Sequence, residues 1–358
     1  MGKSWLYDEN KNYDENYDNG PDFHNGDKII LPKDAGIRIF GKNFISRIVL
    51  SSGPLLNYKH VAAALDSGYT PVYKTVRTFK KECLPFPNIV FVDGAKQITV
   101  KDEEKSILVK ENKDGDHKNI SITNSFGMPS QASEVWMEDV KKCQEYAKKL
   151  NASVIYSFVG SGDEFDLMRD DYAKCAALLV KSGAEIIEAN FSCPNVNTNN
   201  GFLYSNPELA EKVLKKIREN VGGDIILGVK VGNYDSSGDL KNFLLKNAEY
   251  LNYIAGINTV SKKVVRSDGT DGLVKRTASG ICGSAINEAG MEFLKQVAEA
   301  KKELKLKNFA IISGGGVMTP EHAKERFEIG ADFIGVATAA MWNRNFAKEC
   351  CDYGSFRK

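Results

Sequence analysis

The stretch FAIISGGGVMTPEHAKERFEIGADFIGVATA (309–339) decides the fold. It reads as strand, glycine turn, helix, strand. FAIIS is a short apolar run. Thr319 and Pro320 are the N-cap and first-turn signals of a helix over 319–330, and Gly330 closes it. DFIGVATA (332–339) is a second buried strand. The glycines come late in the chain, and that discriminates between two architectures. A doubly wound open sheet usually carries its glycine-rich phosphate turn after the first strand. A (β/α)8 barrel binds phosphate in the loops after strands seven and eight. Gly314 to Gly316 and Ala337-Thr338 occupy those places if 309–339 holds the last two strands of a barrel.

Outward from this stretch the same rhythm repeats. Six further runs are short, rich in Val, Ile or aromatics, and end in small or polar residues: RIVLSSG (47–53), TPVYKT (70–75), SVIYSFVG (153–160), EIIEANFSC (185–193), DIILGVKVG (224–232) and YIAGINTVS (253–261). Amphipathic stretches of helical spacing lie between them, at 59–68, 138–152, 170–183, 207–220 and 290–304. Continuous apolar strands alternating with amphipathic helices build a parallel sheet covered on its faces. Eight such strands predict an α/β fold of the (β/α)8 TIM-barrel type, with the doubly wound sheet as the alternative. One segment breaks the rhythm: 89–123 reads as a β excursion inserted between barrel strands two and three. Residues 1–27 are polar and read as a solvated N-terminal arm, although Trp5, Tyr7, Tyr13 and Tyr17 could pin it to the surface. Residues 28–358 read as one barrel domain, expected to be the catalytic one.

Composition bounds the function. The chain has 358 residues, 42% hydrophobic and 27% charged, with a net charge of +1. That balance gives no broad electrostatic reason to bind nucleic acid or an anionic membrane. No apolar run is long enough to span a bilayer. The 7 cysteines include no CxxC pair, and the 4 histidines form no HxxxH pair, so neither a disulfide framework nor a zinc site is expected. A soluble, cytoplasmic protein is expected.

The active site of a barrel forms at the C-terminal ends of its strands. The residues closing the strands are Ser52-Gly53, Lys74-Thr75, Gly160, Asn190 to Asn195, Lys230, Asn258-Thr259, Gly314 to Gly316 and Ala337-Thr338. No Asp or Glu closes a strand. Gly-rich backbone and a following helix suit an anion, although a plain tight turn reads the same way. Lys74 and Lys230 sit in apolar strands, where a lysine needs either an acid such as Glu188 or a ligand that becomes anionic. Asn124, Asn190, Asn195 and Asn258 could serve a planar heterocycle or carboxylate, and each alone could be a turn residue. Cys193, where strand four enters a Pro-containing loop, is a candidate base or nucleophile. The other six cysteines are assigned to packing or surface.

At these residues the chain resembles the dihydroorotate dehydrogenase family. NFSCPNV (190–196) resembles that family's catalytic loop, in the thiol form of its soluble class 1 members. NSFGMP (124–129) resembles its substrate loop. LSSG (50–53), KT (74–75), GVKV (228–231), INT (257–259), SGICG (279–283), GGGV (314–317) and VAT (336–338) follow in matching order, over roughly 40–345. The resemblance implies flavin mononucleotide (FMN) across the barrel mouth. It implies ring contacts from Ser52, Lys74, Thr75, Asn190 and Lys230, and a phosphate held by Gly283, Gly315, Gly316, Ala337 and Thr338. Lys74, Asn124, Gly127, Met128, Asn190, Asn195, Asn258 and Thr259 would hold the orotate ring, with Lys275 as an extra anion contact. Cys193 would take the C5 proton of dihydroorotate while C6 gives hydride to flavin N5. Fumarate as second electron acceptor and a homodimer are the implied partners. Loops 126–130 and 261–272 depart from the family's pattern, so a second reading keeps the flavin but takes another dihydropyrimidine. A flavin-binding sensor without turnover and a tRNA-reducing flavin barrel are further alternatives.

Overall fold

The computed structural model describes residues 4–23, 28–93, 96–99, 106–110, 117–192 and 202–354. Its centre is a closed barrel of eight parallel strands. We number them β1 (Ile48–Leu50), β2 (Thr70–Val76), β3 (Ile155–Phe158), β4 (Ile186–Asn190), β5 (Ile226–Lys230), β6 (Tyr253–Gly256), β7 (Ala310–Ser313) and β8 (Phe333–Val336). They pair in chain order, and β8 closes on β1 through Ile334–Ile48 and Val336–Leu50. All eight coincide with the apolar runs read from the sequence, β2 running one residue further to Val76, so the (β/α)8 expectation holds.

Several of the described helices start at side-chain caps. Asn57 accepts from the amides of Lys59 and His60, Asn206 from Leu209 and Thr319 from His322. Pro207 and Pro320 occupy first-turn positions. Helix Ser237–Asn247, capped by Ser236, is absent from the sequence reading.

Alternation along the barrel strands splits the interior into layers. The lower layer is apolar, with Val49, Val72, Ile155, Ile186, Ile226, Tyr253 and Ile312 packed together. The hairpin Ile37–Ile39/Lys42–Phe44 closes that end, where Phe44 meets the Phe333 ring at 4.9 Å. Gly228 makes room for the Tyr253 ring, since a Cβ there would stand 2.1 Å from it. Further along the same strands the layer turns polar: Lys74, Ser157, Glu188, Asn190 and Lys230.

The β excursion is real but incomplete as read. Strands Ile89–Val92, Ile107–Leu108 and Ser121–Asn124 join Val260–Val265 and Ala278–Gly283 in a five-stranded sheet. Two of its strands therefore come from between β6 and β7. Within the N-terminal segment, the described residues 4–23 are pinned by aromatics while their acidic and amide side chains stay mostly exposed. Trp5, Tyr7 and Tyr13 are buried, and the Trp5 indole N–H donates to the Ala340 carbonyl at 2.5 Å. Helix Tyr13–Asn19 begins with an Asn12/Glu15 capping box. The pinned reading of this segment is the correct one.

Candidate active site

The C-terminal ends of the barrel strands and the side sheet enclose a cavity of about 520 Å³. It is in the range of small-molecule sites. Ser52, Lys74, Thr75, Asn124, Gly127, Met128, Asn190, Lys230, Asn258, Thr259, Gly283, Gly315, Gly316, Ala337 and Thr338 all line it. Cys193 and Asn195 lie outside the described residues. Ser192, which precedes them, lines the cavity and its hydroxyl accepts from the Asn258 amide at 2.8 Å.

Strict alternation would send Lys74 and Thr75 to opposite faces of β2. The pairing of β2 with β3 slips between Tyr73 and Val76, and this bulge turns both toward the cavity. Thr75 then shares a 2.9 Å hydrogen bond with Ser157. The Lys74 ammonium donates to the Gly53 carbonyl at 3.2 Å and lies 5.4 Å from the centre of the Phe126 ring. Among the described residues no carboxylate pairs with it, and burial pulls its pKa down from 10.5 to about 8. Lys230 is also pulled down by burial, opposed by the charge of Glu188. Glu188, itself raised by burial, lines the cavity two residues before the end of β4. Glu188, the acid the sequence offered to the strand lysines, acts on Lys230 electrostatically, and among the described residues Lys74 has no such acid.

The loop after Asn124 is held in an unusual shape. Gly127 and Met128 both have positive φ, 73° and 52°. Buried Arg77 reaches the Met128 carbonyl from its Nε at 3.4 Å and also bonds Ser161. The Arg77 amide donates to Ser130 Oγ at 3.0 Å. The Asn190 amide points at Met128 Sδ, while its Oδ1 accepts from the Ser192 hydroxyl at 2.9 Å. Phe126 packs edge-on against Tyr7 with ring centres 5.3 Å apart, and Tyr7 itself lines the cavity. The N-terminal segment thus forms part of the site wall.

Further lining residues were missed, among them Cys282, Arg276 and Leu84. Cys282, assigned to packing or surface, lines the cavity; burial lifts its thiol to about 11. Lys275 is exposed and does not line it; its neighbour Arg276 does, donating to Ser125 Oγ at 3.1 Å. Nothing in the sequence separates those two basic residues. Leu84 lines the cavity from the loop after β2.

The other end of the cavity is backbone. Gly314 closes β7 by donating to the Gly256 carbonyl. The N–H groups of Gly315, Gly316 and Val317 have no acceptor among the described residues, and all three residues face the cavity. Free, converging N–H groups are what an anion needs. The residues present therefore fit a ligand with a phosphate at one end and a polar ring system at the other.

A closed barrel with such a cavity at its strand ends defines a small-molecule-binding α/β-barrel protein of the enzyme type. Comparison with known proteins narrows this. The sequence profile of the dihydroorotate dehydrogenase family matches residues 112–352. A dihydroorotate dehydrogenase of Dictyostelium discoideum is 32% identical over 354 residues, covering 94% of each chain. The chain belongs to the dihydroorotate dehydrogenase family. It is also 26% identical to the Escherichia coli NAD-dependent dihydropyrimidine dehydrogenase subunit PreA, over 87% of this chain and 70% of that one. Among solved structures, the Eimeria tenella enzyme in complex with ferulenol superposes with a TM-score of 0.67 at 15% identity, covering 90% of this chain and 85% of that chain. None of the described helices is long and apolar enough to cross a membrane.

Proposed function

We propose that the chain oxidises dihydroorotate to orotate with FMN as its cofactor and Cys193 as the general base. The observation that carries this reading is the cavity's division of labour. One end offers unpaired backbone N–H groups for a phosphate, and the other offers amides and ammoniums for two polar rings. FMN, when bound, supplies the hydride acceptor. Gly315, Gly316 and Val317 hold its phosphate together with Ala337, Thr338 and Gly283. Lys74, Thr75, Lys230, Asn190 and Ser52 meet the isoalloxazine ring. A fixed ammonium at a ring edge favours the negative charge that arrives with two electrons.

The amides of Asn124, Asn195 and Asn258, with Thr259 and the Gly127–Met128 turn, orient the substrate ring and its carboxylate. Cys193 removes the C5 proton as thiolate, so oxidation speeds up as pH rises through the thiol's pKa, ~8.5 when unperturbed. Fumarate then takes the electrons in a second half-reaction. A cytoplasmic homodimer completes the reading. The match to a dihydropyrimidine dehydrogenase subunit and the Phe126/Met128 loop favour a second reading, in which the same flavin site accepts a dihydropyrimidine without the carboxylate.

The test is optical. The purified protein should show the absorbance bands of oxidised flavin, and anaerobic dihydroorotate should bleach them. Bleaching by dihydrouracil alone selects the second reading; no flavin bands after reconstitution with FMN rejects both. Cys193→Ala should slow the bleaching by about 10²–10⁴-fold with the flavin still bound.

A further inference from the structure

Arg326 lies on the helix Pro320–Ile329, which follows the glycine turn, and it is fully buried at 0% exposure. Its side chain runs back beneath the turn. Nη1 donates to Ser313 Oγ at 3.0 Å and to the Gly314 carbonyl at 2.8 Å. Nη2 donates to the Gly315 carbonyl at 2.6 Å and to the carbonyl and Oδ1 of Asn287 at 3.1 and 2.9 Å. Every acceptor is neutral. Nε has no partner among the described residues, and the acid whose charge the guanidinium feels, Glu325, is exposed. A guanidinium withdrawn from water ordinarily sits against a carboxylate. This one has neutral oxygens instead, among them the carbonyls of Gly314 and Gly315.

Those carbonyls matter because a trans peptide is planar, with its C=O and N–H on opposite sides. The Gly314 carbonyl shares a peptide with the Gly315 N–H, and the Gly315 carbonyl with the Gly316 N–H. Holding both carbonyls from below aims both N–H groups away from the guanidinium. They belong to two of the residues that line the cavity and lack acceptors. The peptide dipoles are thereby aligned with their positive ends toward the cavity and a full positive charge behind them. Among the described residues no carboxylate bonds the Arg326 guanidinium, and an anionic ligand group in the cavity would compensate its charge.

We propose that Arg326 is a positioning residue that makes this cavity select a phosphorylated ligand over the same ligand lacking its phosphate, acting through the peptides 314–315 and 315–316. The inference rests on the flavin reading for its probe. It is tested on the full chain freed of ligand, by titrating FMN and riboflavin and following flavin fluorescence. Arg326→Met should weaken FMN by at least about tenfold and riboflavin by less than about threefold, so that the ratio of the two affinities falls. Equal losses for both flavins, or an unchanged FMN affinity, overturn the proposal. If R326M does not fold, Arg326→Lys carries the test, since it keeps the charge but not the planar fork. Its ratio should fall by about threefold, and an unchanged ratio overturns the proposal. A wild-type chain that binds neither flavin rejects the flavin reading instead. Inorganic phosphate then replaces the probe: it should raise the unfolding temperature of wild type and not of R326M, and equal rises overturn the proposal.

Discussion

The two ends of the cavity are made of different material. The end after β7 and β8 presents backbone N–H groups, and its one full charge, Arg326, stays behind a layer of peptides. The end near β2 puts an ammonium directly into the cavity, with Gly53's carbonyl and an aromatic face for company. Peptide dipoles cost little to bury when both halves are bonded or ligand-bound. A bare ammonium costs much more. So the first end should hold stability and binding together, and the second should set them against each other.

The sharpest break of this comparison is Lys74→Met. In the folded chain Lys74 loses its proton near pH 8, whereas the unfolded chain keeps it to 10.5. Between those values the unfolded state binds more protons, so stability rises with pH across that window; below about 8 the full penalty applies. The displacement corresponds to up to about 3 kcal/mol. K74M should therefore be more stable than wild type at pH 7, with the gain shrinking to nothing above about pH 10.5, while ligand binding and turnover fall. Urea unfolding at pH 7 and pH 10 checks it. A variant that is less stable at pH 7 would show that Lys74 is compensated after all.

The backbone end should respond in the opposite sense. Gly316 has φ 75°, and a Cβ there would stand 2.3 Å from both the Cα and the backbone N of Asn287, in the helix Asn287–Glu303 that precedes β7. Neither atom is the end of a flexible side chain. Gly316→Ala should lower unfolding free energy by about 2 kcal/mol or more and weaken FMN in the same step. Calorimetry with and without FMN measures both. Loss of one without the other would dissolve the contrast between the two ends.

The same contrast explains what could be read from the residues alone. All eight barrel strands were legible because a strand buried on both faces is a continuous apolar run. The glycine end was legible because backbone approach demands glycine, which the sequence displays. Strand Val260–Val265 was read as loop, since Lys262 and Lys263 sit at its centre on a half-exposed sheet. Arg326 was not singled out in the sequence. Its signal was its place three residues after buried Ala323, on the apolar side of a helix. Tyr7 left less of a trace. It lies among Asp and Asn residues, and its contact with Phe126 spans most of the first third of the chain. Side chains gathered from distant segments carry no local pattern, and the ring end is built from them.

Phe126→Leu is the mildest probe of that ring end. It removes the edge-to-face contact with Tyr7 and the aromatic face under the Lys74 ammonium. Each interaction is worth about 1 kcal/mol. Leucine keeps most of the volume, and the Phe126 carbonyl still accepts from the Leu84 amide at 3.0 Å. The expected outcome is a rise of about five- to tenfold in KM for the ring substrate with FMN affinity unchanged. Tyr7→Leu should reproduce the part that comes from the N-terminal segment, and the double variant should be less than additive because both substitutions remove one shared contact. Additive effects would mean that Tyr7 and Phe126 shape the cavity independently, and the N-terminal segment would then be a wall of the site without being a support for its substrate loop.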